Sequence, residues 1–356
     1  MSAAGAPGGN TERVTIRDVA ERAAVNVSTV SRALDPAKAS LISHETRERV
    51  LEAARELNYR PHLGARSLRR GQTMTVGVVL PDLANPIFAP LARGITHALE
   101  PAGWMPLVAD TQEDRDRHAR ILELFVERRV DAIITAALRT GEESMLRGIH
   151  DSGVPVITVI RTAHAAGLPS IAHDNRAGAA AAARHLLDLG HRRFAKLDGP
   201  DDIESFATRS AAFADTVNQV GATVVTEHMA ASSVTLEEAR RLAFLLLDMA
   251  GQRRPTALFA PNDRSALGVL EAVRALGLRC PEDVSVVSYN DSELAAHTDP
   301  PLTSVRLPSY EIGMQAGRLA PLVAGDPAGQ HMHRSLPPVL TVRSSTAPPP
   351  LTPPAS

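Results

Sequence analysis

The chain has 356 residues, enough for two or three domains with substantial cores, and its formal net charge is −2. Its single cysteine, Cys280, excludes an intramolecular disulfide and cannot by itself build a zinc site. No apolar run approaches membrane-spanning length, and the first ten residues lack the basic start and apolar core of a secretion signal. We therefore expect a cytoplasmic protein with no membrane contact.

The small net charge hides an asymmetry along the chain. Residues 11–71 hold 12 Lys and Arg against 8 Asp and Glu, whereas the other residues hold 26 against 32. The N-terminal end should therefore attract phosphate, although an excess of this size alone is weak evidence for nucleic-acid binding. Both ends of the chain are of low complexity. Residues 1–12 and the proline-rich residues 347–356 are predicted to be disordered tails that do not pack.

Two short helical patterns, at residues 16–23 and 28–34, are separated by four residues. This is helix-turn-helix spacing. Two helices that cross steeply need a small residue at the contact and apolar side chains that point inward. The residues in position to supply these features are Ala20, Val25 and Val30.

The turn and the element that follows complete the predicted headpiece. Many such motifs carry glycine at the turn position that is Ala24 here, so the steric argument for a left-handed residue is weaker. A third helical pattern starts after Ser43, a good N-cap, and runs to Leu57 with its apolar residues on one face. This helix should close a three-helix core.

Pro61 ends the third helix, and a short segment at 61–71 follows it. The headpiece together with this segment resembles the lactose-repressor (LacI) family of bacterial transcription regulators. In that family the segment becomes a helix only when two copies pair in the DNA minor groove, where a leucine wedges between base pairs. The resemblance gives this role to Leu68, with Ala65 small enough to let the paired helices approach. The alternative is that Leu68 packs on the next domain.

Short apolar runs alternate with amphipathic helical stretches from Thr73 onward, in two consecutive series. This pattern predicts two doubly wound lobes with parallel sheets. Asn85 and Pro86 predict a helix start, with a cap and proline at the first helical position. Buried parallel strands are predicted at 75–80, 105–109, 132–135 and 156–160 in the first series and at 194–197, 223–225, 257–260 and 284–289 in the second.

The predicted fold class is an all-α helix-turn-helix headpiece followed by a two-lobed α/β core like that of periplasmic binding proteins, with doubly wound parallel sheets. The core is expected to bind an effector and to dimerise. The predicted boundaries are 13–60 for the headpiece, 61–71 for the hinge helix and 72–346 for the core, with lobe 1 at about 72–173 and 305–333 and lobe 2 at about 174–304 and 334–346.

In such sheets ligands bind beyond the carboxyl ends of the strands. Polar residues follow the predicted strands of both lobes, so their convergence would form a cleft that closes on a small molecule. Phe88 and Phe206 can each stack on a sugar ring or fill the core, and core is favoured for both. The candidate effector-binding residues are Asp82, Asn85, Phe88, Arg161, Arg209, Asn262, Asp263 and Asn290.

The family resemblance extends through this region and refines the expected effector. It identifies Arg209 with the arginine that holds effector oxygens, with a structural salt bridge as the competing interpretation. Two carboxylates common in sugar-responsive members are replaced by Ile160 and Asn290. Purine-responsive members carry a further arginine where this chain has Ile203, which argues against a purine. We therefore expect an oxygen-rich, anionic sugar or sugar acid.

The second helix should carry most of the DNA contacts. Arg32 is predicted to bind a guanine in the major groove, because its guanidinium matches two acceptors on that base. Val27 and Ser28 match the specificity positions of the family. Phosphate contacts are expected from Thr29 and Ser31. The remaining candidates, at the start of the first helix, are Thr15 and Ile16.

These features predict a homodimeric transcription regulator, usually a repressor, that binds a pseudo-palindromic double-stranded DNA operator. A carbohydrate-like effector in the cleft would change lobe closure and thereby operator affinity. A periplasmic-type binding protein without a DNA role is the rival, and the headpiece and the missing secretion signal argue against it. We find no nucleophile elbow, phosphate loop, metal cluster or paired carboxylates, so we predict no enzymatic activity, no cofactor and no metal.

Overall fold

The computed structural model describes residues 14–59, 72–162, 166–228, 234–249, 253–326 and 332–350. The chain forms two compact units, 1–73 and 74–356, so the division lies within two residues of the predicted start of the core. The predicted hinge segment at 61–71, with Ala65 and Leu68, lies outside the described residues.

The N-terminal unit is a bundle of three helices, as predicted. They are α1 (Ile16–Arg22), α2 (Val27–Ala33) and α3 (His44–Glu56), with a 3₁₀ helix (Pro36–Leu41) between the last two. Ser43 caps α3, because its side-chain oxygen accepts a hydrogen bond of 3.3 Å from the Thr46 amide. Val19, Val30 and Val50 are fully buried where the helices meet. One inward valine from each helix thus forms the centre of the small core.

The turn between α1 and α2 requires a left-handed residue although no glycine is present. Ala24 has φ 52°, in the region that disfavours side chains other than glycine. Its conformation lets the Val25 amide donate to the Ala20 carbonyl at 3.0 Å, which ends α1 and redirects the chain into α2. The turn is therefore of the usual geometry, with alanine in a strained backbone conformation.

The second unit, the core, is built from alternating strands and helices. In chain order the strands are β1 (Thr75–Leu80), β2 (Met105–Asp110), β3 (Ala132–Thr135), β4 (Val156–Val159), β5 (Ser170–His173), β6 (Arg193–Asp198), β7 (Thr223–His228), β8 (Ala257–Phe259), β9 (Ser285–Asn290), β10 (Thr303–Arg306), β11 (His333–Leu336) and β12 (Val339–Thr341). The α-helices are α4 (Phe88–Leu99), α5 (Arg115–Glu127), α6 (Glu143–Asp151), α7 (Asn175–Asp188), α8 (Glu204–Asn218), α9 (Leu236–Leu247), α10 (Asp263–Ala275) and α11 (Ser309–Gly325).

The strands form two sheets, one in each lobe, which confirms the predicted fold class. The first sheet has the order β11-β5-β4-β3-β1-β2, and the second has the order β12-β10-β9-β8-β6-β7. Pairing is parallel throughout, except that β12 runs antiparallel to β10. Helices cover the sheets, as buried parallel strands require. We call the unit around the first sheet the first lobe and the unit around the second sheet the second lobe.

Several elements differ from their predictions. The strand at 105–109 is not buried: β2 is the edge of its sheet, and Met105 is exposed. Asn85 and Pro86 do not start a helix. The Asn85 carboxamide instead accepts from the Ile87 amide at 3.3 Å in a turn, and α4 begins at Phe88. Strands β5, β10, β11 and β12 are not among the predicted strands, because each has only three or four residues and none forms a continuous apolar run of four.

The crossings between the lobes also differ from the predicted boundaries. The first crossing follows β5 at residue 173, as expected. The second comes after β10, which lies wholly in the second sheet, so the chain returns at 307–308 instead of 305. The third comes after β11, which pairs with β5 of the first sheet, so it falls at 337–338 instead of 334. Strand pairing sets these boundaries, and single-sequence patterns do not show it.

The start of the proline-rich end packs on the second lobe, which corrects the prediction of a disordered tail over all of 347–356. The backbone amide of Ala347 donates to the Ser285 hydroxyl at 3.0 Å, and its carbonyl lies 2.9 Å from Nε2 of His191. Residues 347–350 have no regular secondary structure, and 351–356 lie outside the described part of the chain. Among the described residues, no helix combines the length and apolar character needed to cross a bilayer.

Candidate functional site

Helix α2 has one face in the bundle core and another that is free for a ligand. Val30 and Ala33 are buried, whereas Val27 is 40% exposed, and Ser28 and Arg32 are exposed. Val27 is not part of the apolar cluster at the centre of the bundle. The outward face of α2 therefore presents the three side chains predicted to read DNA bases. Thr29 and Ser31 are half-buried beside it.

The start of α1 is held by a local contact between Thr15 and Asp18. The Asp18 carboxylate accepts from the Thr15 amide at 2.6 Å and from its hydroxyl at 2.9 Å. These hydrogen bonds lower the pKa of Asp18. Thr15 is exposed, so its hydroxyl is accessible but already has an acceptor. Ile16 is half-buried and packs against the bundle core.

The core holds a cavity of about 260 Å³ at the carboxyl ends of the strands, between the lobes. It brings together seven of the eight predicted effector-binding residues, with only Asp263 missing from its lining. The predicted residues that line it are Asp82, Asn85, Phe88, Arg161, Arg209, Asn262 and Asn290. The cavity is also lined by Phe206 and by residues that were not predicted, among them Gln112, Glu113, Ser205 and Arg264.

Arg161, after β4, is held by a carboxylate that was not predicted. Its guanidinium donates to both oxygens of Glu113, at 3.0 and 2.6 Å. Burial opposes ionisation of Glu113, yet Arg161 and Arg139 together hold its pKa below the ordinary value. Glu113 follows β2, so the rule that polar residues gather at the carboxyl ends of strands would have identified it. The pair leaves Arg161 in the cavity wall with its charge compensated.

Arg209, in the second turn of α8, is only 3% exposed. Its Nε donates to the Asn175 side chain at 2.7 Å, and one Nη donates to the Pro261 carbonyl at 3.1 Å. Its guanidinium carbon lies 3.9 Å from the centroid of the Tyr289 ring. Burial lowers the pKa of Arg209 and raises that of Tyr289 to about 12. Within the described residues no carboxylate lies within ion-pair distance of this arginine, so the predicted alternative of a salt bridge is not observed.

Asp82 and Arg264 connect the lobes at the wall of the cavity. Asp82 follows β1 in the first lobe, and Arg264 lies in the first turn of α10 in the second. One Asp82 oxygen accepts from Arg264 at 2.9 Å, and the other accepts from the Ala84 amide at 2.8 Å. Both side chains are partly exposed, so this ion pair is of modest energy.

Asp263, at the start of α10, links that helix to β9, β10 and the loop between them beside the cavity. Its carboxylate accepts from the hydroxyls of Ser288 and Ser304 at 2.5 and 2.9 Å and from the Ser292 amide at 2.7 Å. Burial raises its pKa. Asp263 lines an adjoining cavity of about 440 Å³, but its oxygens are already engaged within the lobe. Its position therefore favours a structural role over direct contact with an effector.

The remaining predicted residues combine structure with a place in the cavity wall. Asn262 caps α10 through a hydrogen bond of 2.8 Å from the Ser265 amide. Asn290 has φ 103°, a strained backbone conformation at the end of β9. Phe88 is buried in the apolar cluster of the first lobe, which agrees with its favoured interpretation as core. These residues fix the shape of the cavity.

The charges of the cavity wall do not balance. Two carboxylates, Asp82 and Glu113, face three arginines, Arg161, Arg209 and Arg264. The carboxylates pair with Arg161 and Arg264, so the surplus charge is that of Arg209. Among the described residues no group of His, Cys, Asp and Glu is arranged to hold a metal ion. The arrangement is suited to bind an oxygen-rich ligand and to compensate one negative charge.

Comparisons with known proteins agree with this architecture. Residues 15–62 match the model for bacterial regulatory proteins of the lacI family, and residues 183–346 match a periplasmic binding protein-like domain. The HTH-type transcriptional repressor CytR of Escherichia coli K12 is 30% identical over 303 residues, which cover 85% of this chain and 87% of CytR.

Solved structures show the same likeness over almost the whole chain. The lac repressor dimer bound to operator and an anti-inducer superposes with a TM-score of 0.82 at 25% identity, covering 94% of this chain and all of that one. The complex of the transcriptional regulator CelR with cellobiose superposes with a TM-score of 0.68 at 28% identity, again covering 94% and all of the respective chains. The chain belongs to the LacI family of bacterial transcription regulators.

Proposed function

We propose that this chain is a homodimeric transcriptional repressor whose affinity for a pseudo-palindromic operator is controlled by a small molecule bound in the cleft. DNA binding is supported most directly by the outward face of α2, where Val27, Ser28 and Arg32 are exposed while the opposite face is buried. The likeness to the repressor CytR and to the operator-bound lac repressor dimer supports the repressor and dimer parts. CytR is a transcriptional repressor, which agrees with the prediction of no enzymatic activity.

The predicted hinge helix at 61–71 is expected to connect the headpiece to the core and to contact DNA itself. Leu68 wedged into the minor groove would require a second copy, because unstacking a base step costs a few kcal/mol that the wider contact on bent DNA offsets. We expect Leu68→Ala to leave folding intact and to weaken operator binding strongly. Unchanged affinity in a titration of a labelled operator would reject the wedge.

For the effector we propose an oxygen-rich, anionic sugar or sugar acid. The lost family carboxylates suggested a cavity of low acidity, but Glu113 compensates Arg161, so the anionic part rests on Arg209 alone. A buried arginine with no carboxylate partner is costly, and a ligand carboxylate or phosphate would remove that cost. The likeness to a regulator solved with cellobiose supports a carbohydrate.

A thermal-shift panel of matched pairs tests the effector class. Each sugar acid is compared with its neutral parent, for example glucuronic acid with glucose and galacturonic acid with galactose. We expect stabilisation by at least one acid and none by its parent, because only the acid compensates Arg209. Stabilisation by neutral sugars alone would contradict the anionic part of the proposal.

A further inference from the structure

A continuous chain of ion pairs runs from the cavity wall to the opposite lobe. Arg139 follows β3 in the first lobe, and Asp202 lies before α8 in the second. One Nη of Arg139 donates to both oxygens of Asp202, at 2.9 and 2.7 Å. The other donates to Glu113 at 3.1 Å. Glu113 is also the carboxylate that holds Arg161, so one carboxylate joins the cavity arginine to the arginine that reaches across the cleft.

The groups of this chain are shielded enough for their charges to matter. Arg139 is 5% exposed, and Asp202 is partly exposed. Burial would lower the pKa of Arg139, but its contacts with Asp202 and Glu113 raise it above the ordinary value. Burial likewise opposes ionisation of Asp202, yet Arg139 and Arg115 lower its pKa. The shifts of Glu113, Arg139 and Asp202 all favour the charged forms, so the pair between the lobes attracts at neutral pH.

The backbone beside Arg139 also bonds to the opposite lobe. The Thr140 amide donates to the Asp202 carbonyl at 2.8 Å. The loop that carries Arg139 and Thr140 is fixed within its own lobe, because the Glu142 carboxylate accepts from the Arg139 amide at 2.8 Å. Glu142 in turn lies 3.1 Å from Nδ1 of the buried His118. Arg139 is thus presented to Asp202 by a loop that is anchored in the first lobe.

We propose that Glu113, Arg139 and Asp202 form a latch that holds the lobes closed and positions Arg161 for its ligand. When the lobes separate, Arg139 loses its ion pair with Asp202, and Glu113 then compensates the charge of Arg139. The hydrogen bonds of the two Glu113 oxygens are then redistributed between Arg139 and Arg161. The orientation of Arg161 therefore depends on closure, and ligand binding at Arg161 depends on residues that do not line the cavity.

Hydrogen exchange at the Thr140 amide tests the latch without any ligand, because this amide bonds across the cleft. In the full-length protein we expect Asp202→Asn and Arg139→Gln each to raise its exchange rate at least tenfold. Exchange of the buried β3 and α9 amides should stay unchanged and show that both lobes remain folded. An unchanged Thr140 rate in folded Asp202→Asn protein would overturn the latch.

Matched controls separate the latch from a general effect of charge removal. Asp215→Asn removes a carboxylate of the same lobe whose pair with Arg176 is exposed, and Arg241→Gln removes an exposed arginine paired with Glu238. We expect wild-type exchange at Thr140 in both controls. Acceleration as large as in the latch variants would overturn the specific role of Arg139 and Asp202.

The positioning of Arg161 rests on the proposed effector site and has its own test. For a sugar acid that stabilises the wild type, we expect Asp202→Asn to weaken affinity about tenfold in calorimetry, although Asp202 does not line the cavity. Unchanged affinity together with faster Thr140 exchange would overturn the positioning role and keep the latch. Failure of every sugar acid to bind the wild type would instead reject the proposed effector class. The latch is then tested by the Thr140 exchange rate alone.

Discussion

Arg209 lies over the ring of Tyr289, with 3.9 Å between the guanidinium carbon and the ring centroid, and it contacts no carboxylate among the described residues. The aromatic face and two neutral acceptors partly replace the water that burial removes. They do not compensate its charge. Arg209 is therefore the residue of the cavity with most to gain from an anionic ligand.

Replacing Arg209 should separate ligand binding from stability. In Arg209→Met, relief of a buried charge offsets the lost hydrogen bonds, so we expect the free energy of unfolding without ligand to change by less than about 1 kcal/mol. Stabilisation by sugar acids should disappear. Urea unfolding with and without the acid measures both quantities.

Glu113→Gln provides the contrasting case in the same cavity. It leaves Arg139 and Arg161 buried with one shared counter-charge fewer, so we expect a loss of about 2 kcal/mol in the free energy of unfolding. Equal stability of Glu113→Gln and the wild type would show that the carboxylate does not hold these arginines.

Stability should depend on pH through His191, on which the C-terminal segment docks. Burial lowers the pKa of His191 to about 4, against an ordinary value of 6.5. The unfolded chain therefore binds more protons than the folded chain between these values. The stability that His191 contributes is fully present above pH 6.5 and is lost as the pH falls towards 4. The total loss from this residue is about 3 kcal/mol.

The pH effect can be assigned by substitution. Urea unfolding at pH 7 and pH 4.5 should show a smaller loss in His191→Gln than in the wild type, because glutamine does not titrate. The exposed His97→Gln serves as the control and should keep the wild-type pH dependence. An equal loss in all three proteins would exclude His191 as the cause.

A third prediction concerns the strained turn of the headpiece. At φ 52°, Ala24 pays a steric cost that glycine avoids. We expect Ala24→Gly to raise the free energy of unfolding of the headpiece by about 0.5–1 kcal/mol. Ala53→Gly, inside α3, should instead lower it by about 1 kcal/mol. A calorimetric scan of both variants checks the opposite signs, and destabilisation by Ala24→Gly would contradict the strain.

The sequence predicted the strands that contain apolar runs, as β3 and β8 show. It did not predict β5, with the sequence Ser-Ile-Ala-His, or β12, with the sequence Val-Leu-Thr, because neither contains an apolar run long enough to indicate a strand. The sequence argues only weakly for a left-handed turn at Ala24, because no glycine is present. There the fold overrides the preference of the residue.

The rule that polar residues gather at the carboxyl ends of strands placed Asp82, Arg161 and Asn290 correctly around one cavity. It did not show that Glu113 pairs with Arg161, because the two residues lie 48 positions apart and meet only through sheet order. The sequence also did not show that the Asp263 carboxylate points into the second lobe. Its partners come from β9, β10 and the loop between them, and a sequence does not show which side chains face each other.

A fourth prediction concerns base recognition by α2. We expect Arg32→Ala to cost about 1–3 kcal/mol at sites with the recognised guanine and to relax preference at that position. Arg49→Ala, on the exposed face of α3, should leave base preference unchanged. Fluorescence anisotropy with single-base operator variants compares the two proteins.

We propose that this protein recognises DNA sequence through a paired headpiece. Mapping of purified protein on fragmented genomic DNA, with Arg32→Ala in parallel, tests it most directly. We expect the wild type to enrich a pseudo-palindromic motif and Arg32→Ala to lose preference at one base of each half-site. Enrichment of no motif, or of a motif without two-fold symmetry, would contradict the account.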